Sequence, residues 1–350
     1  MTTQYFGLDG WCGLSIMAKL LEIGSRVEPY IEKYLRSYLD EEFSEVVLHQ
    51  VKSGGKRVRP ALTILCCEAV GGDPEDAMPA AAAMELIHNY SLIFDDIIDH
   101  GDFRRGLPTT RKLYGDVMAM LAGLHYREAI CEAICDCKNS ERLHRLVAKT
   151  VKLLVEGERL DVLFEQAGRE EDSYIFRHRR KVVSKEEYIR MIRHKTGVLI
   201  QASCLAGGIV AGAPENYLSA LGEYGISIGI AFQIADDILD IFAEEKKLGK
   251  KVGKDIIEHK LGNIVILYAL EELDEAERRR LLDIIRSPEV SEDMVKEAVK
   301  LINSTNARER AYGEGWAYVK KALKALELLP KSEAREILKG LAEFIISRSY

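Results

Sequence analysis

Two stretches of the sequence each place three aspartates among apolar residues in the order Asp-Asp-x-x-Asp. They are SLIFDDIIDHGD at 91–102 and FQIADDILDIFA at 232–243. In each stretch the first and third aspartates are four residues apart, so on an α-helix they project from the same face, with the second aspartate at its edge. The six aspartates are Asp95, Asp96, Asp99, Asp236, Asp237 and Asp240.

Carboxylates in such surroundings indicate a bound cation. An unpaired aspartate is costly to bury among Ile, Leu and Phe, and a cluster of hard carboxylate oxygens suits Mg²⁺ together with substrate phosphates. A solvated acidic helix edge is a sufficient explanation for one motif of this kind. Two copies in apolar surroundings, accompanied by basic clusters, favour a magnesium-binding site instead.

Basic residues lie beside both acidic motifs. The glycines of the turn GGKRVRP at 54–60 give its backbone conformational freedom. The backbone and the cationic side chains of this turn can therefore converge on an anion. Taken singly, each basic residue is equally well explained as a solvated surface charge. Their distribution around two acidic motifs indicates ligands that carry polyphosphate groups. The residues concerned are Lys56, Arg57, Arg59, Arg104, Arg105, Lys195, Lys250, Lys251, Lys254 and Lys260.

The elements that must position these residues are helices. Apolar residues recur every three or four positions through most of the chain, as in RLHRLVAKTVKLLVEGERLDVLFEQ at 142–166. Ser184 followed by Glu187 predicts a capping box at a helix start, and hairpin signals of the Asn-Gly type are missing. The sequence therefore predicts an all-α protein that forms one continuous domain over 1–350, with a charged insertion at 167–183.

The composition excludes several classes of protein. Of the 350 residues, 47% are hydrophobic and 30% are charged, which argues against intrinsic disorder. The net charge of -7 argues against nucleic-acid binding as the main task. No apolar run approaches the roughly 20 residues of a membrane-spanning helix, and we find no signal peptide. Together with seven irregularly spaced cysteines, these features predict a cytoplasmic protein.

From about residue 25 to the C-terminus the chain resembles the trans-isoprenyl diphosphate synthases, the polyprenyl synthetase family. The matching motifs, in the order and spacing of that family, are GGKRVRP, ELIHNYSL, DDIIDHGDFRRG, GERLD, KTG, FQIADDILD and GKKVGKD, followed by the segment around Lys260. The resemblance implies a single-domain helical bundle around a deep central cavity, with the two acidic motifs facing each other across its mouth. It also implies a homodimer and makes residues 1–24 an N-terminal extension.

The reaction that this resemblance implies is a head-to-tail condensation of isopentenyl diphosphate with an allylic diphosphate. Three Mg²⁺ ions, bound together with the diphosphate, neutralise the leaving group as the allylic carbon–oxygen bond ionises. The double bond of isopentenyl diphosphate then attacks the allylic cation. Loss of a proton to the departing diphosphate gives a chain five carbons longer, so no protein nucleophile is needed.

The resemblance also implies a role for individual residues. It assigns the metal ions to Asp95, Asp96, Asp99, Asp236, Asp237 and Asp240. It assigns the allylic diphosphate to Arg104, Lys195 and Lys260, and the diphosphate of isopentenyl diphosphate to Lys56, Arg59, His88 and Arg105. It also gives Lys251 for substrate binding and Asp161 as an acid near Lys195. It counts Lys195, Thr196 and Gln233 as catalytic, with the oxygens of Thr196 and Gln233 facing the allylic cation.

Product length in this family depends on the residue that closes the hydrophobic pocket beneath the first acidic motif. The fifth residue before its first aspartate is a common floor, and here it is Tyr90. A bulky aromatic residue there resembles short-chain synthases of the archaeal type, which make geranylgeranyl diphosphate. Helical geometry instead places Ser91 beneath Asp95. The simpler interpretation of Tyr90 is a tyrosine that packs in the core.

The chain departs from the family pattern at four places. Phe94 and Leu124 replace a histidine and an aspartate, Glu158 replaces a glutamine, and LGNI at 261–264 replaces Thr-Leu-Pro. These changes leave a farnesyl or longer polyprenyl product open as an alternative. A non-catalytic regulatory subunit is a second alternative, although such paralogues typically lose an aspartate motif. A class I terpene cyclase is a third, but it would carry an Asn/Ser/Glu motif in place of DDILD.

Overall fold

The computed structural model describes residues 9–242 and 253–347. Within these ranges the chain folds into helices joined by short connections. The β structure of this part is a small antiparallel hairpin, β1 (Phe103–Arg104) with β2 (Leu107–Pro108), and an isolated bridge between Glu165 and Lys260. The prediction of an all-α protein is confirmed.

The helices follow one another along the chain with few interruptions. The first eight are α1 (Asp9–Ser25), α2 (Glu28–Arg36), α3 (Glu41–Lys52), α4 (Val58–Ala69), α5 (Met78–Ile98), α6 (Thr110–Cys135), α7 (Ser140–Phe164) and α8 (Ser173–His178). They are followed by α9 (Lys185–Ile192), α10 (Val198–Val210), α11 (Glu215–Phe242), α12 (Lys254–Ile257), α13 (Ile264–Glu272), α14 (Glu275–Ile285), α15 (Glu292–Asn303), α16 (Ala307–Leu326) and α17 (Glu333–Ser347). A 3-10 turn (Pro74–Ala77) precedes α5, and a π-helical turn (Arg193–Gly197) joins α9 to α10.

The chain divides into two compact units, each built from three segments. The first unit comprises Met1–Val151, Leu199–Gly225 and Lys324–Leu341, and the second comprises Lys152–Val198, Ile226–Leu323 and Ala342–Tyr350. Helix α8 lies in the charged segment 167–183, and none of its residues is buried. The predicted extension at 1–24 and the predicted insertion at 167–183 stay predictions.

Helix α5 is central to the first unit. It packs against α4 and α6, and its run of alanines from Ala80 to Ala83 is fully buried. Such small side chains let neighbouring helices approach closely. Near its end, the ring of Phe94 lies against Gly123 of α6, where a Cβ would overlap the ring. This packing positions the end of α5, which carries the first acidic motif.

Two polar caps begin helices of the second unit. Ser184 and Glu187 form the predicted capping box at the start of α9, since each side chain bonds the backbone N–H of the other. Asn263 is buried and accepts hydrogen bonds from the N–H groups of Val265 and Ile266 at the start of α13. The LGNI segment at 261–264, a departure from the family pattern, therefore supplies a helix cap.

The described part of the chain contains no helix that combines the length and the apolar character needed to cross a bilayer. The cytoplasmic location stays a prediction from the sequence.

Candidate functional site

The first acidic motif lies where α5 ends. Asp99 follows the last helical residue, and its N–H bonds the carbonyl oxygen of Asp95 at 2.8 Å, so the two residues lie one turn apart. Asp95 is half-buried and Asp99 is exposed. Helix C-termini carry partial negative charge, which adds to the attraction that these two carboxylates exert on a cation.

Asp96 is ion-paired within the protein. Its carboxylate accepts hydrogen bonds from Nη2 of Arg104 at 2.8 Å and from Nε of the same guanidinium at 3.0 Å. Because Arg104 belongs to β1, this pair attaches the hairpin to the end of α5. The guanidinium is partly exposed, so it can meet a second anion while it holds Asp96.

Arg57 is bound by two carboxylates. Its side chain is 4% exposed, and it donates to Glu28 at 2.6 Å and to Glu85 at 2.8 Å. Glu85 is itself 3% exposed, and a buried charge of this kind requires a partner. The sequence alone grouped Arg57 with cations that converge on an anion; the structure gives it two partners of its own. Arg57 anchors the GGKRVRP turn.

His88 is surrounded by positive charge. Burial lowers the pKa of His88 well below its ordinary value, and the charges of Arg59, Arg105 and Arg104 lower it further. Burial also lowers the pKa of Arg59, and the charge of Arg105 adds to this effect. Nε of Arg59 is buried without a hydrogen-bond partner among the described residues. The positive electrostatic field of these arginines, together with the Nε donor of Arg59, attracts an anion.

Tyr90 and Phe94 form an aromatic pair just before the first acidic motif. Their ring centroids are 5.0 Å apart at an interplanar angle of 60°, an edge-to-face arrangement. Phe94 is held in turn against Gly123. The hydroxyl of Ser91 donates instead to the carbonyl oxygen of His88 at 2.9 Å. The bulk at this point of α5 therefore comes from the two rings.

Lys195 is carried by the π-helical turn between α9 and α10. Such turns shift side chains relative to a regular helix and occur often at functional sites. Gly157 of α7 lies so close to the backbone of His194 and Lys195 that a Cβ would overlap it. The missing side chain lets α7 bring Glu158 and Asp161 to the Lys195 ammonium group.

Asp161 joins two lysines. Its Oδ2 atom accepts from Nζ of Lys195 at 2.6 Å and from Nζ of Lys260 at 3.1 Å. Burial raises the pKa of Asp161, but the two ammonium groups outweigh burial and hold the pKa below its usual range. Glu158 is a second acceptor for Lys195, with its Oε2 atom 2.8 Å from Nζ. The backbone of Lys260 is placed beside α7 by its bridge to Glu165.

Thr196, Gln233 and Asp237 form a chain of hydrogen bonds. Thr196 donates to Oε1 of Gln233 at 3.0 Å, and Nε2 of Gln233 donates to Asp237 at 3.1 Å. Asp237 also accepts from the hydroxyl of Tyr188 at 2.8 Å and from the N–H of Ile264 at 2.9 Å. These bonds fix the orientation of the Gln233 amide. Since the Thr196 proton is engaged, the oxygen lone pairs are available to a positive charge.

Carboxylates are crowded around the end of α11. Asp240 accepts hydrogen bonds from the backbone N–H groups of Lys254 and Asp255, both at 3.1 Å. Burial raises the pKa of Asp240 to about 7, and the negative charge of Asp255 contributes. Burial and Asp255 likewise raise the pKa of Asp237. Asp236, the first aspartate of this motif, is half-buried.

These acidic residues suit a divalent cation. Their oxygens are hard ligands, and a bound dication would relieve the repulsion that raises the pKa of Asp240. Over residues 9–242 and 253–347, no group of three or more His, Cys, Asp or Glu side chains is already arranged to hold a metal ion. Divalent cations bound by carboxylates usually take further oxygen ligands, which phosphate groups can supply.

A cavity of about 90 Å³ lies among residues of the second unit. Its lining includes Lys195, Lys260, Asp161, Thr196 and Gln233. Two ammonium groups can bind an anionic group here, while the oxygens of Thr196 and Gln233 face a positive charge beside it. The cavity can therefore stabilise an anionic leaving group with its lysines and the resulting cation with its oxygens.

The sequence pointed to residues that act on a ligand more readily than to the residues that hold them. It missed Glu85, Tyr188, Asp255 and Asn263. Glu85 and Asn263 stand in apolar stretches, a signal that could have found them, whereas Tyr188 and Asp255 stand among charged residues and gave no such signal. Lys56 is exposed beside the buried Arg57. Lys250 and Lys251 lie outside the described residues.

The chain is similar to known proteins over most of its length. The model of the Polyprenyl synthetase family matches residues 40–302. The short chain isoprenyl diphosphate synthase of Methanothermobacter thermautotrophicus is 38% identical over 341 residues, which cover 95% of this chain and 100% of that protein. This chain is thus similar to that synthase over nearly its whole length.

Two solved structures are similar as well. The geranylgeranyl pyrophosphate synthetase of Pyrococcus horikoshii matches with a TM-score of 0.86 and 37% identity, over 96% of this chain and 99% of that one. The polyprenyl synthase of Caulobacter crescentus, solved in complex with calcium and isoprenyl diphosphate, matches with a TM-score of 0.85 and 27% identity, over 99% of this chain and 100% of that one.

Proposed function

This chain belongs to the polyprenyl synthetase family and is a trans-prenyltransferase that elongates prenyl diphosphates, and on that premise we propose that its main product is geranylgeranyl diphosphate. Its substrates are isopentenyl diphosphate and an allylic diphosphate, and its family uses divalent metal ions with them. The observation that carries the product assignment is the Tyr90–Phe94 pair, held against Gly123. The name of the similar protein from Pyrococcus horikoshii supports it.

The metal that we propose is Mg²⁺, with three ions bound together with diphosphate. Asp95 and Asp99 hold it in the first unit, and Asp236 does so in the second. Asp240 is a further ligand beside Asp236, while Asp96 holds Arg104 and Asp237 holds the Gln233 amide. When bound, Mg²⁺ supplies the positive charge that offsets the developing charge of the leaving diphosphate.

The cationic residues are assigned to the two diphosphates. We propose that isopentenyl diphosphate is bound by Lys56, Arg59, His88 and Arg105. The allylic diphosphate is bound by Arg104, Lys195 and Lys260, with Lys251 as a further substrate-binding residue. His88 stays neutral because burial and the neighbouring arginines lower its pKa. It therefore donates a hydrogen bond to a phosphate oxygen without adding to the repulsion among the cations.

The protein residues act on charge during the reaction. As the allylic carbon–oxygen bond ionises, the ammonium groups of Lys195 and Lys260 stabilise the departing diphosphate. The oxygens of Thr196 and Gln233, held by Asp237, face the allylic cation. The double bond of isopentenyl diphosphate attacks that cation, and the released diphosphate accepts the proton that is then lost. Each cycle lengthens the chain by five carbons.

The direct test is incubation with Mg²⁺, isopentenyl diphosphate and, in turn, dimethylallyl, geranyl and farnesyl diphosphate. We expect a twenty-carbon diphosphate from all three starters, identified by mass spectrometry. Fifteen-carbon or longer main products would replace the product assignment. The absence of any condensation product would favour a regulatory subunit, and hydrocarbons formed without isopentenyl diphosphate would favour a terpene cyclase.

Replacing Tyr90 with alanine is expected to lengthen the products by one isoprene unit or more. The substitution removes one ring of the Tyr90–Phe94 pair, so the growing chain has more room beneath the acidic motif. The measurement is the chain-length distribution of the dephosphorylated products at matched conversion. Ser91→Ala is the comparison, because Ser91 contacts the helix backbone and should leave the distribution unchanged. If Tyr90→Ala keeps the original profile, Tyr90 is not the floor.

We also propose that the protein is a homodimer formed through α6. Val117, Leu121 and Leu124, which follow the non-helical Gly115, lie along one face of this helix and are each 44% to 63% exposed. Exposed apolar residues that form a continuous stripe mark an interaction surface more often than apolar residues that are scattered singly over the surface. In a two-fold dimer the same stripe of a second copy covers it, which removes both stripes from water.

Replacing Leu121 with aspartate is expected to convert the dimer into a monomer, because a charge cannot be buried unpaired at an apolar contact. Light scattering after size-exclusion chromatography gives the molar mass. Leu328→Asp is the matched control, since Leu328 is also exposed, at 64%, but lies beyond the end of α16. A monomeric wild-type protein, or a Leu121→Asp variant that stays dimeric, would remove α6 as the interface.

A further inference from the structure

We propose that Glu158 lowers the affinity of the enzyme for allylic diphosphates by competing with them for Lys195. The inference rests on the proposed function, in which Lys195 binds the allylic diphosphate. Oε2 of Glu158 lies 2.8 Å from Nζ of Lys195, a full ion-pair contact. Any phosphate oxygen that approaches this ammonium group therefore approaches a carboxylate as well.

Lys195 has more than one carboxylate partner. Its ammonium group contacts Asp161 and Glu158, and Lys260 contacts Asp161 and Glu258, the last of which also pairs with Lys254 at 3.0 Å. Asp161 bridges both lysines at 2.6 Å and 3.1 Å. The Glu158 carboxylate is therefore surplus to what is needed to hold Lys195 in place.

Glu158 is also poorly satisfied. Its side chain is 15% exposed, and its Oε1 atom is buried without a hydrogen-bond partner among the described residues. A buried carboxylate oxygen in this state costs free energy that an incoming anion increases further. The backbone that carries this carboxylate is held close to Lys195, because the neighbouring Gly157 contacts the backbone of Lys195.

These observations set the direction of the effect. Removal of the Glu158 charge leaves Lys195 held by Asp161, so the ammonium group keeps its position. What is lost is a negative charge within a few ångströms of the diphosphate subsite. For charges this close in a partly buried setting, we expect the affinity for an allylic diphosphate to rise about tenfold.

The affinity also bears on product length. After each condensation the new diphosphate is the one contributed by isopentenyl diphosphate, so the product must move to the allylic subsite before it can be elongated again. A weaker allylic subsite shifts the balance between this transfer and release toward release. Glu158 therefore favours shorter products, independently of the Tyr90–Phe94 pair.

The experiment compares Glu158→Gln with the wild-type enzyme in steady-state kinetics. Glutamine keeps the shape of the side chain and removes its charge. We expect KM for farnesyl diphosphate to fall about tenfold, KM for isopentenyl diphosphate to stay unchanged, and the product distribution to shift to longer chains. Glu158→Asp keeps the charge and is expected to keep a KM close to that of the wild type.

Glu156→Gln is the matched control. Glu156 lies two residues earlier on α7 but pairs with Arg159 at 2.7 Å and with Arg190 at 3.2 Å. Its neutralisation is expected to leave both KM values unchanged. An equal fall of the allylic KM in Glu156→Gln would mean that the overall negative charge of this surface lowers the affinity for the allylic diphosphate. Glu158 would then have no special role.

A binding measurement separates this inference from the proposed function. Farnesyl thiodiphosphate, an analogue that ionises very slowly, is titrated with Mg²⁺ into each variant in a calorimeter, at low and at high salt. We expect tighter binding to Glu158→Gln, with a difference that shrinks as salt rises. Equal binding by the two proteins, with the wild type active, overturns the competition by Glu158. A wild type that binds the analogue but condenses nothing overturns the proposed function instead.

Discussion

Replacing Asp95 with asparagine is expected to lower kcat by about a thousandfold and to raise the Mg²⁺ concentration for half-maximal rate about tenfold. Asparagine keeps the shape of the side chain but removes the negative charge and half of its oxygen ligands. Asp95 lies one turn before Asp99 at the C-terminal end of α5, where the helix dipole also favours a cation. The loss therefore falls on the proposed metal site.

Asp96, the next residue, is expected to respond differently. Its carboxylate is buried and bound by Arg104, so Asp96→Asn disturbs a guanidinium that we assign to the allylic diphosphate. We expect a higher KM for the allylic substrate and an unchanged Mg²⁺ requirement. The pair of variants thus separates a residue that binds metal from one that positions an arginine.

The measurement is the initial rate as a function of Mg²⁺ at saturating substrates, followed by KM at saturating Mg²⁺. Asp102→Asn is the control, because Asp102 lies close by in the sequence but pairs with Lys112 and Arg111 at the surface. It is expected to behave like the wild type. A Mg²⁺ requirement that rises equally in Asp95→Asn and Asp96→Asn would contradict the distinction between the two carboxylates.

The contrast between neighbouring residues shows what the sequence alone can and cannot reveal. The helical fold follows from a periodicity of three to four residues, and the pairing of Asp95 with Asp99 follows from their spacing. Both are local properties. The capping box of Ser184 and Glu187 was predictable for the same reason.

Partners that are distant in the sequence were not predictable. The role of Tyr188 depends on Asp237, 49 positions away, and no periodicity relates the two. The π-helical turn that carries Lys195 is in close contact with Gly157, which lies on another helix. Such contacts follow from the tertiary packing, and the spacing of residues in a single sequence does not show them.

Two arginines of the GGKRVRP turn are expected to give opposite results when they are replaced. Loss of Arg57 should lower the stability of the protein, and loss of Arg59 should weaken substrate binding. Replacing Arg57 with methionine leaves the Glu85 carboxylate buried without its guanidinium. Removal of one partner from a buried ion pair typically costs about 3–5 kcal/mol of the free energy of unfolding. Glu28, the other partner, has a side chain that is 44% exposed and adds less to this loss.

Arg59→Met is expected to spare stability and to weaken substrate binding. Burial and the charge of Arg105 lower the pKa of Arg59, which means that its charged form is disfavoured in the folded protein. Removing this charge therefore leaves the free energy of unfolding unchanged or raises it, at any pH where arginine is protonated. The lost contact with phosphate is expected to raise KM for isopentenyl diphosphate about a hundredfold.

Chemical denaturation and steady-state kinetics on the same two variants test this contrast. The double variant Arg57→Met with Glu85→Leu is the control for the buried pair, because replacing both charges by apolar side chains should recover most of the lost stability. Since Arg57 and Arg59 are two residues apart in one turn, a nonspecific disturbance of that turn would affect both variants alike. An Arg57→Met variant as stable as the wild type would contradict the importance of the buried ion pair. An Arg59→Met variant that unfolds, with an Arg57→Met variant that loses only affinity, would show that the two arginines have exchanged roles.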